Sequence, residues 1–120
     1  MKLLIVDDSK AMRMIVRRTL RQAGYGHHDV QEASNGREAL EALGSAGADV
    51  VLSDWNMPEM SGIELLARLQ ADGVRVPFGF VTSESTPEMR ERARQAGALF
   101  LIAKPFTAES FQAALAPVLG

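Results

Sequence analysis

Short, nearly continuous apolar runs alternate along the chain with segments whose apolar residues recur every three or four positions. Leu3–Val6, Asp49–Ser53, Phe78–Val81 and Leu99–Ala103 are runs of the first kind, the pattern of strands buried on both faces. His28–Ala33 is more polar and suits a strand at a sheet edge. The second kind predicts helices. Met12, Ile15, Val16, Thr19 and Leu20 form one stripe, with Ser9 as N-cap and Gly24 as stop. Asn35-Gly36-Arg37-Glu38 opens a second helix with a capping-box-like pair. Leu40 and Leu43 are its core side, and Gly44 and Gly47 end it. Ser61-Gly62-Ile63-Glu64 is a capping box ahead of Leu65, Leu66 and Leu69. Pro77 introduces the fourth strand. Thr86-Pro87 starts a fourth helix, with proline at its first position. That helix is apolar only at Met89, Ala93 and Ala96, so it is expected to be the loosest. Thr107 caps a last helix striped by Phe111, Ala114, Leu115 and Val118, and Pro117 is expected to distort its final turn.

Strands alternating with helices of this length predict an α/β fold: one domain with a five-stranded parallel sheet and helices on both faces. Crossovers are expected to be right-handed. In such sheets ligands bind outside the carboxyl ends of the strands. Four of the five apolar runs stop there at a polar residue. These are Asp7-Asp8 after the first, Asp54 after the third, Thr82 after the fourth and Lys104-Pro105 after the fifth.

Composition narrows the function without naming it. The chain has 120 residues, 47% hydrophobic and 23% charged, ordinary for one globular domain. Its net charge of -2 gives no global positive field for nucleic acid or anionic lipid. There is no cysteine, which excludes disulfides, thiolate zinc sites and cysteine nucleophiles. The apolar runs are far shorter than the ~20 residues a membrane helix needs. Met1-Lys2 is not the start of a signal peptide, because Asp7-Asp8 ends the apolar stretch too early. A cytoplasmic monomer is expected, with no nucleic acid and no membrane among its partners.

The candidate chemistry lies in the strand ends. Asp7, Asp8 and Asp54 converging on one rim would repel, unless some stay protonated or a cation joins them. Magnesium suits such a site: it takes one or two protein carboxylates, waters and substrate phosphate oxygens. The loop Asp7-Asp8-Ser9-Lys10 would repel a bare nucleotide or flavin phosphate, which seeks backbone amides in a glycine-rich turn. Asp54, at the end of the third strand, is the expected nucleophile, since a carboxylate can accept a phosphoryl group as an aspartyl phosphate. Phosphoryl transfer needs positioning and charge neutralisation. Lys104 could neutralise one side, and Thr82 offers a hydroxyl to a phosphoryl oxygen. Taken singly, these residues read more readily as turn aspartates, a surface lysine and a strand-end cap; together they favour a site. A cis bond at Lys104-Pro105 would turn the backbone sharply and aim the lysine.

Val6-Asp7-Asp8, Ser53-Asp54-Trp55-Asn56-Met57-Pro58, Gly62, Val81-Thr82-Ser83-Glu84 and Ala103-Lys104-Pro105-Phe106, in this order and spacing, resemble the receiver domain of two-component response regulators, most closely the chemotaxis type. The resemblance spans essentially residues 1–120. It implies a flavodoxin-like (βα)5 fold with strand order 2-1-3-4-5. It also implies that Asp54 is phosphorylated by a histidine kinase or phosphotransfer protein. Mg2+ (or Mn2+) would be bound by Asp8, Asp54 and the backbone carbonyl of Asn56, with Asp7 acting through water. Thr82 and Lys104 would contact the phosphoryl group, and Asn56 and Glu84 would tune its lifetime. Thr82, Leu101, Lys104 and Pro105 occupy the switch positions. The fourth helix, the Leu99–Ala103 strand and the last helix would form the face that binds a downstream target. The protein would catalyse only its own phosphorylation and dephosphorylation.

Two departures from that pattern stand out. Chemotaxis-type receivers usually carry an aromatic where this chain has Leu101, and Phe100 next to it would face the other side of the strand. Gly79 replaces a bulky residue and is expected to leave the fourth strand thinly packed. A phosphate store in a relay, without a switching face, therefore stays open. A magnesium-dependent phosphohydrolase is less favoured, because Asn56 stands where its second aspartate would be. With a start at Met1 and a finish after the fifth helix, docking to a partner is favoured over a place in a longer regulator. His27-His28 are expected to point to opposite faces of a strand and not to share a metal. The six methionines are expected to fill the core. Arg17, Arg18 and Arg21 are expected on the wet side of the first helix.

Overall fold

The computed structural model describes residues 1–119. Strands and helices alternate through β1 (Lys2–Val6), α1 (Lys10–Gln22), β2 (Asp29–Ala33), α2 (Gly36–Ser45), β3 (Val50–Ser53), α3 (Gly62–Ala71), β4 (Phe78–Thr82), α4 (Pro87–Gln95), β5 (Phe100–Ala103) and α5 (Ala108–Leu119). All strand pairs are parallel, in the order β2-β1-β3-β4-β5. The chain thus has the flavodoxin-like arrangement, with the polar β2 at one edge and β5 at the other.

Side chains alternate across each strand, so one strand feeds two cores. Leu4, Val6, Val51, Phe78 and Phe80 face α2, α3 and α4, where they meet Ala39, Leu43, Leu65, Leu66, Leu69 and Ala93. Leu3, Ile5, Val50, Leu52, Val81 and Ile102 face α1 and α5, meeting Val16, Leu20, Phe111 and Leu115. Burial on both faces is why β1, β3 and β4 are almost uniformly apolar.

The helix starts follow the caps. Ser9, Asn35, Ser61 and Thr86 each accept the backbone N–H three residues on, and Thr107 does so from Ser110. At Ser61 the box is complete, because Glu64 accepts the Ser61 amide in return. At α2 the reciprocal half goes elsewhere: Glu38 accepts from the amide and hydroxyl of Ser34, both at 2.7 Å.

Several details depart from the periodic pattern. Ile15 is 43% exposed and Leu99 60% exposed; β5 begins one residue later, at Phe100. The core side of α2 is Ala39 and Leu43, with Leu40 only half-buried, and the helix runs through Gly44 to Ser45. α5 carries Pro117 within its last turn and continues to Leu119. His27 and His28 lie in the turn before β2, and their rings sit side by side, 4.0 Å between centroids. Met12, Met57, Met60 and Met89 pack against the cores, but Met1 and Met14 are exposed. Arg18 and Arg21 are exposed, whereas Arg17 is half-buried, donating to the Val30 carbonyl at 3.0 Å and to Glu32 at 3.1 Å.

Gly79 is the largest correction. Strand β4 is buried at every position, Gly79 included. Gly79 pairs with Phe100 across the β4–β5 ladder, and the Phe100 ring occupies the volume a side chain would take. A Cβ built on Gly79 would lie 2.0 Å from Phe100 Cε1. The strand is packed by its neighbour's ring, not thinned.

Candidate functional site

The sheet register assembles the rim. Val6 pairs with Ser53, so Asp7 and Asp54 leave adjacent strands side by side. Backbone bonds continue past the strand ends and fix them: Asp7 N–H donates to Ala33 at 3.1 Å, Asp54 N–H to Val6 at 2.8 Å and Lys104 N–H to Thr82 at 2.8 Å. The Lys104–Pro105 bond is cis. Lys104 Nζ stands 3.6 Å from Asp7 Oδ2 and 3.7 Å from Asp54 Oδ1.

Asp7, Asp8 and Asp54 each present an oxygen, all within 4.8 Å of one another. Asp7 is buried, Asp54 half-buried and Asp8 exposed. One ammonium therefore stands against two of three converging carboxylates. Burial holds the Asp54 carboxyl above the usual carboxylate range; Lys104 opposes that rise, Asp7 and Asp8 add to it, and the Trp55 amide opposes it. The donor set is all oxygen, with no histidine or cysteine in the group. It fits a hard divalent ion such as Mg2+ or Mn2+ and not a thiolate or imidazole metal.

Local geometry holds the carboxylates still. Asp7 Oδ1 accepts from Ser9 N–H at 2.9 Å, and Asp54 Oδ1 from Trp55 N–H at 2.8 Å. The carbonyl of Asp54 accepts from the Ser53 hydroxyl at 2.8 Å. Gly62 lies so close behind it that a Cβ there would stand 2.2 Å from that carbonyl oxygen. Only glycine lets the start of α3 approach the backbone of Asp54.

Thr82 is fully buried, and its hydroxyl oxygen accepts the Glu84 N–H at 3.2 Å. Glu84 in turn accepts from the Asn56 amide at 3.3 Å, so these two side chains tie the loop after β3 to the loop after β4. Leu101 does not reach the rim. It is half-buried within β5, opposite Phe80 and against the core under α4. Phe100 faces the other core, as alternation requires.

Two residues at the site were not legible in advance. Arg13 Nη1 donates to the Asp7 carbonyl at 2.5 Å, and its Nε pairs with Glu32 at 2.8 Å. The signal was its place in the first turn of α1, where side chains lean back toward the helix start. Arg92 lies over the ring of Trp55, its guanidinium carbon 5.5 Å from the centroid; nothing in the local pattern of α4 pointed there.

A family profile described as "Response regulator receiver domain" matches residues 3–116. The chain is 42% identical over 123 residues to chemotaxis protein CheY1 of Helicobacter pylori, covering 100% of this chain and 98% of that one. It is 43% identical over 114 residues to chemotaxis protein CheY-3 of Vibrio cholerae, covering 93% and 86%. The solved structure of chemotaxis protein CheY4 of Vibrio cholerae superposes with a TM-score of 0.83 at 38% identity, over 98% of each chain.

Proposed function

The chain belongs to the response regulator receiver family, chemotaxis type, and from that premise we propose that it is a signalling switch whose phosphoacceptor is Asp54. The observation that carries this reading is the Lys104 ammonium standing within 4 Å of both Asp7 and Asp54, beside three converging carboxylate oxygens. An Asp54 oxygen attacks phosphorus in the phosphohistidine of a histidine kinase or phosphotransfer protein. The O–P bond forms as the N–P bond breaks, and the electron pair returns to the imidazole. Lys104 neutralises charge on the phosphoryl oxygens. Asp8, Asp54, the backbone carbonyl of Asn56 and, through water, Asp7 would hold Mg2+ or Mn2+, which when bound supplies further positive charge there. Asn56 and Glu84, tied to each other, tune the rate at which the phosphoryl group is hydrolysed.

Phosphorylation adds charge and strong acceptors beside Thr82. Its hydroxyl leaves the Glu84 amide for a phosphoryl oxygen, and the loop leading into α4 follows. Leu101 and the Lys104–Pro105 turn lie along the strand that registers this movement. The output is a changed α4–β5–α5 face, where a shallow groove of about 540 Å³ runs past Arg90, Phe100, Leu101, Pro105 and Ala114. A downstream protein in a chemotaxis pathway docks there; the switch acts as a cytoplasmic monomer over residues 1–120. No described helix is long and apolar enough to cross a membrane.

The test is mass spectrometry after incubation with Mg2+ and acetyl phosphate. A phosphoryl mass gain on Asp54, absent in Asp54→Asn and absent with chelator, is expected. Gain retained in Asp54→Asn would reassign the nucleophile. Leu101, which lacks the aromatic ring, favours one second reading, a phosphate store without output. Amide exchange at α4 and β5 that is unchanged by beryllofluoride would select the store.

A further inference from the structure

α4 is held to the body by little. Ala93 is its one buried residue, Met89 and Ala96 pack only partly, and Glu91 and Arg94 pair with each other along the helix. Arg92 behaves differently. Its guanidinium lies 5.5 Å from the centroid of Trp55, and Trp55 is a buried residue that follows the phosphoacceptor directly. The Trp55 ring is tilted against Phe80 at 4.7 Å. The backbone N–H of Trp55 donates to Asp54 Oδ1 at 2.8 Å, and its backbone carbonyl accepts from the Gly62 N–H at 2.7 Å. The Trp55 backbone is therefore tied to Asp54, while its buried ring packs on Phe80 and is touched by a cation from α4. The attraction between guanidinium and ring is electrostatic, and because Arg92 is exposed it has the modest size of a solvent-facing contact.

We infer that Arg92 is a positioning residue that couples α4 to the phosphoacceptor through the ring of Trp55. This rests on the reading of Asp54 as the phosphoacceptor. Adding a phosphoryl group increases the negative charge beside Trp55. The cation over its ring then has a different interaction energy in the two states, which is the requirement for shifting a population. Coupling is reciprocal, so a partner that pulls Arg92 away from the ring alters phosphoryl-analogue affinity at Asp54 by the same factor. Of the other polar ties on α4, the Thr86 cap and the Glu91–Arg94 pair are local to the helix, and the Gln70 side chain donates from α3 to the Ala96 carbonyl at its C-terminal end, at 2.7 Å; none of them touches Trp55.

The experiment is amide exchange of wild type, Arg92→Met and Arg92→Lys, each with Mg2+ alone and with Mg2+ and beryllofluoride. Arg92→Met keeps an apolar stem without the charge, and Arg92→Lys restores a cation. Without beryllofluoride, α4 amides of Arg92→Met are expected to exchange roughly twofold to fivefold faster than wild type, the range of a cation–π contact, with α1 unchanged. With beryllofluoride, its α4 response is expected to fall by at least half while the response around Asp54 persists. Arg92→Lys is expected to keep most of both. A wild-type α4 profile in Arg92→Met, or Arg92→Lys matching Arg92→Met, would overturn the coupling. If no protein, wild type included, responds to beryllofluoride anywhere, the phosphoacceptor reading fails first and the coupling with it.

Discussion

At the scale of single residues, ionising Asp54 carries a cost. Its carboxyl titrates above the ordinary range because burial disfavours the charge. The native protein thus keeps a proton over an interval where the unfolded chain has lost it. Stability from this group is full below the usual carboxylate range and falls as pH rises through the raised value. Asp54→Asn removes the penalty, and Lys104 retains Asp7 as partner. Without divalent ion, Asp54→Asn should therefore melt at a higher temperature than wild type at pH 7, and the gap should close as pH falls below the usual carboxylate range; a gap that persists there would contradict the origin given. Gly79 and Phe100 make the second case. Gly79→Ala places a methyl 2.0 Å from the Phe100 ring and should destabilise by about 1–3 kcal/mol through overpacking. Phe100→Leu should also destabilise, yet the double variant should be less unstable than the sum, measured by urea melts of all four proteins.

At the scale of elements, each strand and helix could be read from its periodicity and its caps, and the register of the rim could not. Ser9, Asn35, Ser61, Thr86 and Thr107 all start helices where expected, because a side-chain acceptor three residues ahead of a free amide is a local event. Nothing local announces that Phe100 fills the space above Gly79 or that Arg92 reaches Trp55. Both depend on which strand lies beside which and how far each helix slides, and these are long-range outcomes of packing. Asp7, Asp8, Asp54 and Lys104 were legible as a set because the ends of β1, β3 and β5 in a parallel sheet point one way. Arg13 was not, since only the turn of α1 above β1 brings it to Asp7. α4 should show the fastest amide exchange of the five helices, given its single buried residue. Thr86→Ala should remove about 1 kcal/mol of local stability and widen that difference; α4 protected as well as α3 would contradict this account.

For the whole molecule, two cores share one sheet and the three converging carboxylates and Lys104 sit on a single rim. An ion bound only by the folded state stabilises it by mass action, so Mg2+ at a hundred times its dissociation constant should add about 2.7 kcal/mol. The gain should vanish in Asp8→Ala, followed by calorimetry; equal gains in both would place the ion elsewhere. The opposite rim holds the turn at Asp72-Gly73, exposed and roughly 17 Å from the strand ends that carry Asp7, Asp54 and Lys104, the length of a five-residue strand. Chain can be added there without crossing anything that reacts. A fluorescent protein grafted between Asp72 and Gly73 would ride on the signalling unit as a passenger, which makes that turn the natural place to build a sensor from this fold.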